Sequence, residues 1–442
     1  MGHGIVQCPG QTILVTFVSL FLWLMTGIHP VKVAVDPSVA TVEVFLNGES
    51  IGVAEGPRWT VQCDFGDSVR PHLLEAVGRD ATGAETGRAE QVVNLPRAEA
   101  EVKIVLEDGT TAVPEMVRVI SESGQRLEPL AVFVTFDGRS ILPERDGRFR
   151  LPAYDHRRIH LLGAEVHYPE GITARSDVTF GGAWGGVVVS ELTAVPVEVD
   201  GGRTVTVAEL EGMLRVRGEI ASVAAVEQQG ARVFFIRDRG SWPTLKRLGY
   251  AMDRTTAARR GYMVETERDL PAKRDRLHFV VPNPTRQRGL ALFPFSDAFD
   301  IKRWGLPWLA AHLENEMGAA TGQRLAEAVA VAGMRAVSGG CPRAVVLVVS
   351  RDTVDHSGYD PQSVRDYLRA LRVPLVIWTT DDSGLSGDWG EAQPVSTQRS
   401  LGKASRRLLK DLKRQWIVWL EGRHLPSDIE LDERATGFRL AG

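Results

Sequence analysis

Asp238 and the trio Ser350-Arg351-Asp352 are the residues whose types and placing could do chemistry. Each follows a largely apolar run, residues 231–236 and 344–349. A carboxylate and hydroxyls gathered at neighbouring strand ends could hold Mg²⁺, which takes six oxygens at about 2.1 Å. After Asp238 the chain continues Arg239-Gly240-Ser241-Trp242, and Thr321 precedes an alanine-rich stretch and could add a further hydroxyl. Two other groupings contain catalytic residue types. Asp355-His356-Ser357 has the letters of a triad, but consecutive residues project in different directions and triads converge from separate elements. Asp381-Asp382 could do acid–base work or could cap a solvated loop. No Gly-x-Ser-x-Gly elbow, His-Glu-x-x-His or Walker loop occurs. The glycine cluster at 181–186 opens no helix and reads as a wide turn.

The elements that would position these residues centre on 342–380. Two apolar runs, 344–349 and 375–378, flank an amphipathic segment at 361–371. Runs without polar alternation suit strands covered on both faces, and a helix-length connector makes the unit βαβ. In such sheets ligands bind beyond the carboxyl ends of the strands. Further helical spacing covers 243–263, 304–316, 323–337 and 400–414, while 277–281 with 290–295 reads as a hairpin and 416–420 as a last strand. This alternation predicts a doubly wound α/β domain over 201–442.

Ahead of it the apolar period is two. Val42, Val44 and Leu46 alternate and end at Asn47-Gly48, a strong hairpin signal because a type I′ turn needs two positive φ values. The pattern returns as Val132, Val134, Phe136 and Asp137-Gly138, and His72-Leu73-Leu74 returns as His160-Leu161-Leu162. Two echoes at nearly one offset predict tandem β-sandwiches of immunoglobulin-like architecture, at 31–107 and 108–200. They lack the Cys-Trp-Cys core of antibody domains.

Composition narrows the function classes. At 442 residues with 43% hydrophobic content the chain can bury several cores. A net charge of −4 and scattered tryptophans give no case for nucleic acid. Cys8, Cys63 and Cys341 match neither a disulfide framework nor a zinc pattern, so packing is their expected role. Residues 1–30 contain the apolar stretch 13–24 with no acidic residue before it, which reads as a signal peptide or short membrane anchor and predicts an exported protein. The basic face of Arg406, Arg407, Lys410, Lys413 and Arg414 reads as solvated, or as a contact for an acidic or lipid surface.

The order strand, Asp238, helix; Thr321, helix; strand, Ser350-Arg351-Asp352, helix resembles a von Willebrand factor type A domain, and with the β-modules and the leader it resembles the VWFA-related exported proteins of bacteria. That resemblance implies a strand-tip site, often holding Mg²⁺ through Asp-x-Ser-x-Ser, a loop threonine and a later Asp. Here Gly240 and Trp242 stand where the two serines belong, and Arg351 stands where the later Asp belongs, with Asp352 displaced by one. The resemblance therefore implies a degenerate site with no metal and no cofactor; Arg351, standing in the ligand position, could reach Asp238 in place of a cation or could point into solvent. The expected function is non-catalytic binding of a protein partner through Asp238, Gly240, Ser241, Trp242, Thr321, Ser350, Arg351 and Asp352. The alternatives are a metal-dependent adhesion module, with Asp352 swung into the ligand position, and a hydrolase.

Overall fold

The computed structural model describes residues 15–17, 19, 24–35, 39–95, 100–108, 114–123, 128–137, 139–156, 159–168, 173–181, 192–256, 274–287, 290–296, 298–312, 322–338, 340–384 and 386–442. Thr321, Cys8 and residues 182–186 of the glycine cluster lie outside them.

Two β-sandwiches form the N-terminal half. In the first, the strands Glu49–Glu55, Thr41–Leu46, His72–Arg79 and Glu85–Val93 make one sheet, and Val15–Phe17, Ile28–Val35 and Thr60–Asp64 the other. Alternation places Val42 and Val44 in the core, at 0% and 1% exposure. The hairpin forms as its turn chemistry requires, with φ of 55° at Asn47 and 87° at Gly48. The second sandwich pairs Arg139–Ile141, Ala131–Phe136, Ile159–His167 and Thr173–Gly181 against Phe149–Arg150, Pro114–Ser123 and Ala100–Asp108. The registers correspond: Val44 lies opposite Ala76, and Val134 opposite Ala164. One boundary moves. The strand Ala100–Asp108, expected to finish the first module, pairs with Pro114–Ser123 and belongs to the second.

The N-terminal apolar stretch is described only in part. Its described part, Val15–Phe17, is a strand antiparallel to Ile28–Val35, with Val15 3% exposed. Among the described residues no helix is long and apolar enough to cross a membrane.

The expected doubly wound α/β class for 201–442 is corrected. Among the described residues strand outweighs helix, 42% against 21%. Much of what was assigned to that domain is antiparallel: Val223–Glu227, Gln415–Glu421, Leu192–Val199 and Phe438–Leu440 form one sheet, and Glu219–Ile220, Leu214–Val216 and Ile429–Leu431 another. The run at 416–420 thus pairs with strands near residue 200, because its partners' apolar faces close a core of their own around Val197, Leu210, Leu214 and Ile429. After Thr206 the chain makes one helical turn, Val207–Leu210, followed by strands. The expected hairpin of 277–281 with 290–295 is present in part: Val280 and Phe295 form an antiparallel bridge, while Arg276–Val280 also pairs parallel to Arg232–Arg237 and the tip joins Thr285–Gln287 to Leu290–Leu292.

Inserted in the sequence between Val223–Glu227 and Gln415–Glu421 is a six-stranded sheet, in the order Phe299–Asp300, Arg276–Val280, Arg232–Arg237, Arg343–Val349, Leu375–Thr379, Gln393–Pro394. Every pairing is parallel except that of the first edge strand. All seven residues of Arg343–Val349 are buried, as the unbroken apolar run requires. The helices Leu325–Val337 and Pro361–Ala370 cover one face. Trp242–Thr256, Leu306–His312 and Gln398–Leu412 cover the other.

The Pro361–Ala370 helix joins this sheet to the first sandwich. Tyr367, 0% exposed, donates its hydroxyl to the Asn94 carbonyl at 2.7 Å, and Tyr359 donates to the Leu24 carbonyl at 3.2 Å. Burial pushes the Tyr367 phenol far above its ordinary range, so it is a permanent donor. Tyr367→Phe strands a buried carbonyl and is expected to lower stability by about 1–3 kcal/mol. Guanidinium denaturation of the two proteins checks this, and an unchanged midpoint would refute it.

Candidate functional site

The Arg232–Arg237 and Arg343–Val349 strands run in parallel register, with Arg237 opposite Val348. The Asp238 N–H donates to the Val348 carbonyl at 2.9 Å, and there the first strand ends. Asp238 is 0% exposed. Its carboxylate accepts the Ser241 N–H at 2.6 Å and the Ser350 N–H at 3.0 Å. It also accepts the Ser350 hydroxyl at 2.5 Å, and the Thr353 hydroxyl lies equally close. Ser241, itself 0% exposed, returns its hydroxyl to the Asp238 carbonyl at 3.0 Å and starts the helix by accepting the Leu245 N–H. A buried carboxylate without such donors would be costly, and here it has four.

Gly240 is a steric requirement of this cage. A Cβ there would stand 2.1 Å from Ser350 Oγ. The space a side chain at 240 would occupy is taken by the hydroxyl arriving from the neighbouring strand.

Of the two readings for Arg351, the structure has the solvent-facing one, and the side chain does not reach Asp238. Its side chain is 80% exposed, and its ion-pair contact is Asp381 at 3.9 Å. The reason is local: Ser350 turns inward to the carboxylate, so the next side chain turns out. The Asp381 carboxyl is held below its ordinary range, first by hydrogen bonding from Ser383 and then by Arg351. Asp352 is exposed and takes no part in the cage. Trp242 is half-buried, with the Arg237 guanidinium 3.8 Å above its ring and the Lys246 ammonium 5.8 Å away.

Beside the cage, Gln323 ties three segments. Its Oε1 accepts the Arg239 N–H at 2.9 Å, its Nε2 donates to the Val354 carbonyl at 2.8 Å, and its carbonyl accepts the His356 N–H. Asp355 binds the start of the Leu325–Val337 helix, accepting the N–H groups of Leu325 and Ala326 at 2.8 and 2.9 Å. That use of both oxygens complements the helix dipole and explains the Asp-His-Ser letters as a cap delivered from another loop. Asp382 accepts the Ser396 hydroxyl. Sequence reasoning missed Thr353 and Gln323. The signal for Thr353 was its place three residues after Ser350, the spacing at which a hydroxyl folds back on a turn.

No family model and no curated protein matches this chain. Among solved structures, the fibronectin(III)-like modules of Clostridium thermocellum CbhA are 16% identical over 38% of this chain and 94% of that one, with a TM-score of 0.16. The central fibronectin-III array of RIM-binding protein is 9% identical over 47% and 83%, TM-score 0.23. A tetra-tandem repeat from the extending region of a large adhesion protein is 15% identical over 42% and 51%, TM-score 0.14.

Two substitutions separate the caged from the exposed charge. Asp238→Ala leaves the Ser241 and Ser350 amides without acceptors and is expected to cost about 2–6 kcal/mol in sum. Arg351→Ala is expected to leave the thermal midpoint unchanged. Equal melting of all three proteins would show that the cage does not support the fold.

Proposed function

We propose that this chain is a non-catalytic interaction module that meets a protein partner with the tips of the Arg232–Arg237 and Arg343–Val349 strands. The observation that carries the reading is the sealed Asp238 carboxylate, whose lone pairs already face four protein donors. A cation entering the site would have to displace hydroxyl protons held at hydrogen-bond distance. The tip therefore offers a partner what protrudes from it: Arg239, Arg351, Asp352 and His356, with Val354 57% exposed among them. Arginine beside apolar surface is a composition enriched at protein interfaces.

Hydrolysis has less support. Asp355 is engaged as a helix cap, and Asp381 and Asp382 are each hydrogen-bonded within their own loop region.

Two measurements test the proposal. A photo-crosslinking residue at position 351 is expected to trap a second protein in cells, and one at Phe133, exposed on the second sandwich, is not. Crosslinks at 133 alone would overturn it. Thermal melting in Mn²⁺ is expected to match melting in EDTA; a rise of several degrees with the ion would favour metal-dependent adhesion instead.

A further inference from the structure

The two sandwiches place a histidine at the same point of the repeat and surround it with opposite hydrogen-bond partners. In the first, the Leu73 N–H donates to Asn47 Oδ1 at 2.9 Å, which fixes the amide. Asn47 Nδ2 then donates to His72 Nδ1 at 3.1 Å, so that nitrogen must present a lone pair and the ring is neutral. Burial, with Arg70 nearby, lowers the pKa of His72 from its ordinary value in the same direction.

In the second sandwich the turn residue is Asp137 instead. His160 Nδ1 lies 2.7 Å from Asp137 Oδ2, and Nε2 lies 2.9 Å from the Asp155 carbonyl. Both partners accept only, so satisfying them takes a proton on each nitrogen. The ring is 8% exposed and stacked on Phe136 at 5.1 Å and 21°. Tyr154 meets it edge-on at 5.0 Å, and Phe180 lies at 6.1 Å. Aromatic surroundings of this kind favour a cation. Among the described residues, the titratable groups against it are the Asp137 carboxylate from the turn and Tyr154 from the preceding loop, which also offers the Asp155 carbonyl; the Tyr154 hydroxyl is directed at the Pro114 carbonyl, 2.8 Å away. The strands on either side contribute Phe136 and Phe180, which do not titrate.

We propose that the second sandwich is a pH-responsive module, held closed by the imidazolium form of His160 and loosened between the Asp137 turn and the Tyr154-Asp155 loop when that proton leaves. Loss of the Nε2 proton to solvent sets a lone pair against the Asp155 carbonyl, while Nδ1–H keeps Asp137. A histidine that gains partners for its charged form lends stability fully below its unfolded pKa of about 6.5, and this is lost as pH rises through the folded value. His72 works in the opposite sense: its contribution is full above about 6.5 and is lost as pH falls through its own lowered folded value. One residue type at the turn, Asn or Asp, decides which sign each module has.

The test is a nitrogen-15 NMR titration of the full chain labelled at histidine, with His160→Gln used to assign the ring signals. His160 is expected to titrate about one unit or more above an exposed histidine, and Asp137→Asn to lower that midpoint by a similar amount. Limited proteolysis of the 151–156 loop is expected to quicken as pH passes the midpoint. A His160 midpoint at or below that of an exposed histidine overturns the proposal, as does a midpoint that Asp137→Asn leaves in place. Should Asp137→Asn fail to fold, the wild-type titration and the proteolysis profile decide alone, and proteolysis independent of pH overturns the loosening.

Discussion

A carboxylate buried where two parallel strands end must be answered by a cation or by donors, and in this protein amides and hydroxyls answer Asp238. Several features of the tip follow from that choice. Ser350 must face inward, Gly240 must lack a side chain to admit its hydroxyl, and Ser241 must begin the Trp242–Thr256 helix at the point where its amide reaches the carboxylate. The same inward turn of Ser350 sends Arg351 outward. A surface with exposed arginines over a closed, hydrogen-bonded floor results.

The opposite end of the sheet is built on the reverse charge. Arg343 is 0% exposed, and its guanidinium donates to the carbonyls of Leu371 and Arg372 at 3.2 and 3.4 Å, just past the Pro361–Ala370 helix. Burial brings its pKa down to about 10, which leaves it charged. A cation at a helix C-terminus complements the dipole, as Asp355 complements the N-terminus of the neighbouring helix. Gln415 bonds the Arg343 backbone from the antiparallel unit, so the segment that closes that unit also holds the first residue of the central strand.

The tandem modules show how a small change of residue acts on an unchanged frame. Register, turn and histidine position are shared, while Asn47 and Asp137 differ by one polar group. An amide can donate and an ionised carboxylate cannot, so the buried ring beside each is held in a different form.

Local pattern was enough to read the repeat, the Asn47-Gly48 hairpin, the buried central strand and the helices that cover the parallel sheet, because alternation and turn chemistry are properties of neighbouring residues. The class of the whole was not legible that way. A run such as 416–420 looks the same whether it joins a parallel sheet or closes an antiparallel one, and its pairing with Leu192–Val199 spans more than two hundred positions. The candidate site divides along the same line. Asp238 and Ser350 could be named from their place after apolar runs, whereas the donors to that carboxylate, the outward turn of Arg351 and the part played by Gln323 depend on side-chain direction at the junction of separate loops. Short-range sequence fixes which residues arrive at a strand end; which of them face inward is decided by the space and hydrogen-bonding groups that the neighbouring strand brings there.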